Sequence, residues 1–247
     1  MTAPLFLLPA GALDGVRPGE EVLVDGAEGR HAVAVRRLVP GEPADVADGV
    51  GRLVRGEVTR AERDALTVRA LAVEEVPEPA PRFVLVQALA KGGRDEQAVE
   101  TCTELGVDEV LPWAAERSVV QWRGERGEKA RRGWAEVARA ATKQSRRPRL
   151  PEVGRAVDLR DLLRRVETCA LAVVLHEQAA DPLTRLPVPA SGDVLLVVGP
   201  EGGISERELE QLRAAGARTA RLGAHVLRSS TAGAAALAVL SAACGRW

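Results

Sequence analysis

Residues 195–212 read LLVVGPEGGISERELEQL, and this stretch decides the fold class. Val194 to Val198 is a short unbroken apolar run, the pattern of a strand buried on both faces. Gly199-Pro200-Glu201-Gly202-Gly203 then makes a tight loop in which three of five residues lack a Cβ. A helix follows with complete start signals. Ser205 is followed three residues later by Glu208, a capping box. Ile204 and Leu209 flank it as a hydrophobic staple, Leu209 and Leu212 share a core-facing side, and Gly216 supplies the stop. The glycines let a ligand approach the backbone, whose N–H groups can donate to a purine or a carboxylate. The loop also follows the C-terminal end of a strand, where open α/β sheets bind their ligands.

The same rhythm extends outward on both sides. Phe83 to Leu89, Val110 to Trp113, Ala170 to Leu175 and Thr219 to Leu222 read as further strands. Asp95 to Leu105, Glu125 to Gln144, Ser205 to Ala215 and Thr231 to Cys244 read as helices, with Gly106 ending the first. Strands alternating with helices predict an α/β domain with a mainly parallel sheet over residues 82–247. The last helix is small and apolar on every side. Ser229, Ser230 and Thr231 offer it N-caps, and its composition predicts burial against its own domain and a second subunit.

EEVPEPAPR, residues 74–82, holds three prolines and marks a domain boundary. Before it, residues 1–75 read as a small β-barrel. Glu21 to Val24, Ala44 to Ala47, Leu53 to Val58 and Leu66 to Val73 are its strands. Arg30 to Leu38 is a short helix, Asp25-Gly26 a turn, and Asp48-Gly49 a hairpin signal.

Charge is unevenly spread. The formal net charge is -1, which excludes a wholesale basic coat. Residues 123–149 nevertheless hold ten basic residues against three acidic ones, a local balance of +7. That segment is either a phosphate-binding stripe or a solvated helix face. Aromatics are 2% with no Tyr, so base stacking on aromatic platforms is not the main device of any nucleic-acid site. Met1 to Leu13 lacks a basic leader and is cut by Pro4 and Pro9, against a signal peptide, and no run approaches a membrane span. Cys102, Cys169 and Cys244 are few and far apart, so they read as reduced residues of a cytoplasmic protein. P-loop, GxGxxG and GxSxG motifs are absent, and His31, His176 and His225 have no partner at metal-ligand spacing. No metal is expected.

GPEGGIS after an apolar strand, followed some twenty residues on by LGAHVLRSSTAGAAAL, resembles the SPOUT methyltransferases. QALAKGGRDEQAVETCTELGVDEVLPWAAERS and ATKQSRRPRLPEV narrow the resemblance to the bacterial family that methylates N3 of a uridine in 16S ribosomal RNA. HAVAVRRLVPGEPADVADGVG is similar to that family's PUA-like barrel, so nearly the whole chain is covered. The resemblance implies a trefoil-knotted C-terminal domain, S-adenosylmethionine as cofactor, a homodimer, and 16S rRNA in the small ribosomal subunit as substrate. It implies a cofactor site of Leu175, His176 and Glu177, of Val198, Gly199, Gly202 and Gly203, and of Leu222, Gly223, Val226, Leu227, Arg228 and Thr231. It implies RNA contacts at Arg37, Lys91, Arg94, Arg117, Gln144 and Arg147, which favours the phosphate-binding reading of the basic stripe. Three positions depart from the family's usual residues. Ser230 and Lys143 stand where Glu is usual, and no arginine precedes Arg17.

Because uridine N3 must lose a proton, a cation beside the cofactor is wanted, and Arg228 is the candidate catalytic residue. The target base must be unpaired or flipped out. The general base stays open. So do two other functions: 2′-O-ribose methylation by the same fold, and a non-catalytic RNA-binding assembly factor.

Overall fold

The structure, a computed structural model, describes residues 3–247. The chain forms two compact units. One holds the residues up to Glu78 together with Thr142–Leu150; the other holds Pro79–Ala141 and Pro151–Trp247.

The first unit is a five-stranded sheet. Its strands are β1 (Leu5–Leu7), β2 (Glu21–Val24), β3 (Pro43–Ala47), β4 (Arg52–Glu62) and β5 (Ala65–Glu75), in the order β1-β3-β4-β5-β2. Only β1 and β3 run parallel. Asp48-Gly49 does turn β3 into β4. The Asp48 carboxylate accepts from the Val50 and Arg52 N–H groups at 2.9 and 3.0 Å, and Gly49 takes φ +74°. Asp25-Gly26 behaves otherwise: Gly26, at φ +61°, opens helix α1 (Gly26–Arg30), which continues as a π-helical turn over His31–Val35. The core between these elements contains Phe6, Leu13, Val24, Val46, Val54 and Leu66. Residues 142–150 join it through Arg149, whose guanidinium donates to the Val76 and Pro77 carbonyls, and through a 2.8 Å ion pair from Lys143 to Glu28.

The second unit runs β6 (Arg82–Ala88), α2 (Arg94–Glu104), β7 (Glu109–Trp113), α3 (Gly124–Ser145), β8 (Glu152–Val153), α4 (Leu159–Thr168) and β9 (Leu171–Leu175). After a 3-10 turn at Leu183–Arg185 come β10 (Asp193–Val198), α5 (Glu206–Ala214), β11 (Arg218–Ala220) and α6 (Ser229–Ala243). All six strands are parallel, in the order β11-β9-β10-β6-β7-β8. The chain starts in the middle of the sheet, builds outward through β7 and β8, and then returns to the other side of β6. Such a reversal opens a crevice at the strand C-termini. Alternation within each strand divides the core into two layers. Leu85, Leu196 and Val198 pack with α2 and α6 residues, whereas Val84, Val86, Leu195 and Val197 pack with Leu162, Leu209 and Leu212 of α4 and α5.

Helix α5 starts as its sequence dictates. The Ser205 side chain accepts from Glu208 N–H, and the Glu208 side chain accepts from Ser205 N–H, a complete capping box. The serine caps expected for α6 do not form. Arg228 occupies the N-cap, no side chain caps the first turn, and the buried Ser229 hydroxyl has no partner among the described residues. Ser229, Ser230 and Thr231 lie inside the first turn, one, two and three residues past the N-cap. Among the described residues no helix is long and apolar enough to cross a membrane.

Candidate functional site

A cavity of about 620 Å³ lies where β9 and β10 end. Its walls come from three segments. Leu175, His176, Glu177 and Gln178 continue β9. Val198 to Ile204 continue β10 and lead into α5, and Val226 to Ser229 lead into α6. The glycine loop is held by Gly203 at φ +73°, with its N–H donating to the Pro200 carbonyl at 2.9 Å. A Cβ on Gly202 would stand 3.3 Å from the Cβ of Arg117, so the missing side chain lets the residue 115–118 turn lie against the loop. Arg117 closes that contact, its guanidinium donating to the Gly202 carbonyl at 3.2 Å.

Two carboxylates organise the rim. Glu208, 1% exposed, accepts from Glu116 N–H at 2.8 Å as well as from Ser205 N–H at 3.1 Å, tying the Arg117 turn to the start of α5. Ser205 Oγ lies 2.8 Å from Glu116 Oε2 and donates to it. That hydrogen bond, with Arg207 adding to it, holds the Glu116 carboxyl below the usual range. Glu201 accepts from Arg94 at 3.1 Å and from Lys91 N–H at 3.4 Å. Burial pushes the Glu201 pKa up most strongly of any single influence, yet its backbone hydrogen bonds and Arg94 together outweigh burial and leave it lowered. The α6 end of the cavity carries Arg228, whose side chain is exposed and whose carbonyl accepts from Thr231 and Ala232 N–H groups.

Ten residues named from the sequence as the cofactor site line this cavity together: Leu175, His176, Glu177, Val198, Gly199, Gly202, Gly203, Val226, Leu227 and Arg228. Leu222, Gly223 and Thr231 are outside the lining. Leu222 packs on the sheet core, Gly223 takes φ +142° in the exposed segment beyond it, and Thr231 points to solvent while Ser229 and Ala232 face the cavity. Of the named RNA contacts, Arg94 and Arg117 line the cavity, and Lys91 is exposed beside it. Arg37, Gln144 and Arg147 belong to the first unit. The basic stripe is partly spent on structure: Arg131 donates to the Val153 carbonyl, and Lys143 and Arg149 hold the first unit together. Neither Ser230 nor Lys143, the two departures, is in the cavity lining. Sequence reasoning missed Ile204, Leu209 and Ser229 as lining residues and Glu208 as the link between two loops. The capping-box pattern located Glu208, but nothing in the sequence pairs it with Glu116.

The donor set fits an adenosyl group carrying a charged amino-acid tail. Leu175, Val198, Ile204, Leu209 and Leu227 give apolar wall, the glycine loop gives reachable backbone, and charged groups stand at the rim. The volume is of the size that encloses a small cofactor.

The chain thus combines a parallel α/β unit, with a ligand-sized cavity at its strand C-termini, and a separate small β unit. Residues 77–241 match the RNA methyltransferase domain family and residues 24–71 the RNA methyltransferase PUA domain, so the chain belongs to the RNA methyltransferase family. It is 44% identical over 233 residues to the ribosomal RNA small subunit methyltransferase E of Mycobacterium bovis, covering 93% of this chain and 89% of that protein. A Legionella pneumophila methyltransferase solved with bound S-adenosylmethionine superposes with TM-score 0.85 at 29% identity, covering 98% of both chains. The Neisseria gonorrhoeae ribosomal RNA small subunit methyltransferase E, bound to S-adenosylmethionine, also gives 0.85, at 27% identity and 98% of both chains.

Proposed function

We propose that this protein transfers a methyl group from S-adenosylmethionine to N3 of a uridine in 16S rRNA of the small ribosomal subunit. The observation that supports the reading is the cavity at the ends of β9 and β10, lined by ten of the residues that the family resemblance implies for the cofactor. The small-subunit substrate is supported by the relatives' names and their cover of almost the whole chain. In this reading residues 1–75 are a PUA-like barrel that binds RNA, and residues 82–247 are a trefoil-knotted catalytic domain. Two copies work as a homodimer in the cytoplasm.

The cofactor supplies an electrophilic methyl on a sulfonium. Val198, Gly199, Gly202 and Gly203 would hold it through backbone groups, with Leu175, Val226 and Leu227 excluding water. His176 and Glu177 would face its polar parts, while Leu222, Gly223 and Thr231 would act by shaping the segment around Arg228. Alignment of methyl donor and base nitrogen is worth about 7–11 kcal/mol at its upper limit. Arg228 would stabilise the negative charge on the uracil as the N3 proton passes to bulk water. Arg94, Arg117 and Lys91 grip phosphates near the cavity, and Arg37, Gln144 and Arg147 do so on the first unit.

Small subunits from a strain lacking the modification are incubated with methyl-labelled S-adenosylmethionine and digested to nucleosides. New 3-methyluridine is the expected product. A 2′-O-methylated nucleoside would move the target to ribose, and cofactor binding without any transfer would sink the small-subunit substrate. Arg228→Ala should lower turnover roughly 100-fold or more while cofactor Kd moves only a few-fold; equal losses in both would reduce Arg228 to a binding group.

A further inference from the structure

Only two non-glycine residues among those described adopt left-handed backbone, and both are arginines of the first unit. Arg37 has φ +54° and Arg146 has φ +57°. Each stands just past the end of a helix, in the slot where a chain usually places glycine. At α3 the Arg146 N–H donates to the Lys143 carbonyl and the Arg147 N–H to that of Thr142. Behind the π-helical turn, Leu38 N–H reaches back to the Ala32 carbonyl across Arg37. Two other helix ends close with the bond pattern of α3 and do use glycine. Gly106 (φ +97°) follows α2, and Gly216 (φ +105°) follows α5. A Cβ is disfavoured in this conformation, so arginine there sacrifices stability that glycine would keep.

Both arginines are exposed, and among the described residues no ion pair or side-chain hydrogen bond occupies either guanidinium. Their neighbourhood is ordered by other cations. Lys143 pairs with Glu28 of α1, and Arg149 ties its segment to Val76 and Pro77. Strain at a position that the surrounding structure holds fixed is a pointer to function.

We infer that Arg146, like Arg37, is a phosphate contact of the first unit, held in strained backbone that presents an unpaired guanidinium to RNA. The inference rests on the RNA-substrate reading above and adds Arg146 to it. The competing role is a purely local one, in which each cation complements the partial negative charge of its helix C-terminus.

Arg146→Gly and Arg37→Gly separate these roles, because glycine relieves the strain and removes the guanidinium at once. Wild type and variants are titrated on a 16S rRNA transcript and on an unrelated RNA of equal length, at several salt concentrations, with thermal unfolding in parallel. We expect each glycine variant to keep or raise its Tm and to lose roughly fivefold in affinity for both RNAs. Its log–log salt slope should shrink by about 0.7–0.9, one phosphate contact. Arg146→Lys should retain most of the affinity. Unchanged RNA affinity, or a Tm that falls on substitution by glycine, overturns the inference. Wild-type protein that binds the unrelated RNA as well as the 16S transcript counts against the substrate, not the grip; wild-type protein that binds neither overturns both.

Discussion

Single residues bind the loops of this molecule to one another. Glu208 is buried and satisfies backbone donors on two separate segments, Glu116 N–H and Ser205 N–H. Removing it strands both donors, each at about 1–3 kcal/mol when buried. Glu208→Ala should therefore lower stability by about 2–4 kcal/mol in urea unfolding. It should also loosen Arg117 against Gly202, raising KM for RNA more than it lowers kcat; a loss of stability with both constants intact would confine Glu208 to the fold. His31 makes a pH prediction. Burial, helped by the Lys143 ammonium, holds its pKa below 6.5 against the opposing pull of Glu28. The folded state thus prefers neutral imidazole more than the unfolded chain does. Its contribution is present above pH 6.5 and is lost as pH falls through the lowered folded value. Between pH 7.5 and 5.5 the Tm of wild type should drop more than that of His31→Gln, and parallel curves would refute the assignment.

At the scale of elements, legibility followed the strength of local signals. The β10–glycine loop–α5 unit was readable almost residue by residue, because strand run, capping box and stop glycine all lie within about twenty positions. Helix α4 carries an equally plain pattern, with Leu159, Leu162, Leu163 and Val166 on one side and Asp158 capping Asp161 N–H at 2.9 Å, yet the sequence reading left it out. Strands β1 and β8 have three and two residues and gain their identity only from pairing with β3 and β7. Helix α6 showed its apolar composition but not its start, since three consecutive hydroxyl residues offer alternative caps and the chosen one is Arg228. Its close packing was not readable either. Gly233 faces Leu85 of β6, where a Cβ would stand 2.7 Å from the leucine Cδ1. Gly233→Val should therefore cost about 1–3 kcal/mol through overpacking. Gly233→Ala should come out near neutral in urea unfolding, the gain in helix propensity offsetting the clash; a harmless valine would show that α6 can shift.

For the molecule as a whole, sequence periodicity gave strand and helix alternation but no sheet order. The return of β10 to the other side of β6 depends on which strands pair over more than a hundred residues, and no local pattern encodes that. The candidate site inherits the same property. Leu175, Val198 and Val226 converge because β10 and β11 both pair with β9, so their grouping came from the family resemblance and not from spacing. Composition speaks more directly to assembly. Helix α6 is apolar on all sides, yet in the single chain Ala235, Ala238 and Val239 are only half-buried and Ala242 and Ala243 are exposed. A helix with that face open to water stabilises a partner surface more than a monomer. The homodimer reading therefore predicts, by sedimentation equilibrium, twice the 26.2 kDa chain mass. Ala238→Arg and Ala242→Arg should shift the protein toward monomer while leaving the folded chain intact by circular dichroism. If the wild type sediments as a monomer at tens of micromolar, the open face of α6 must serve something other than self-association, and the catalytic unit would have to act alone.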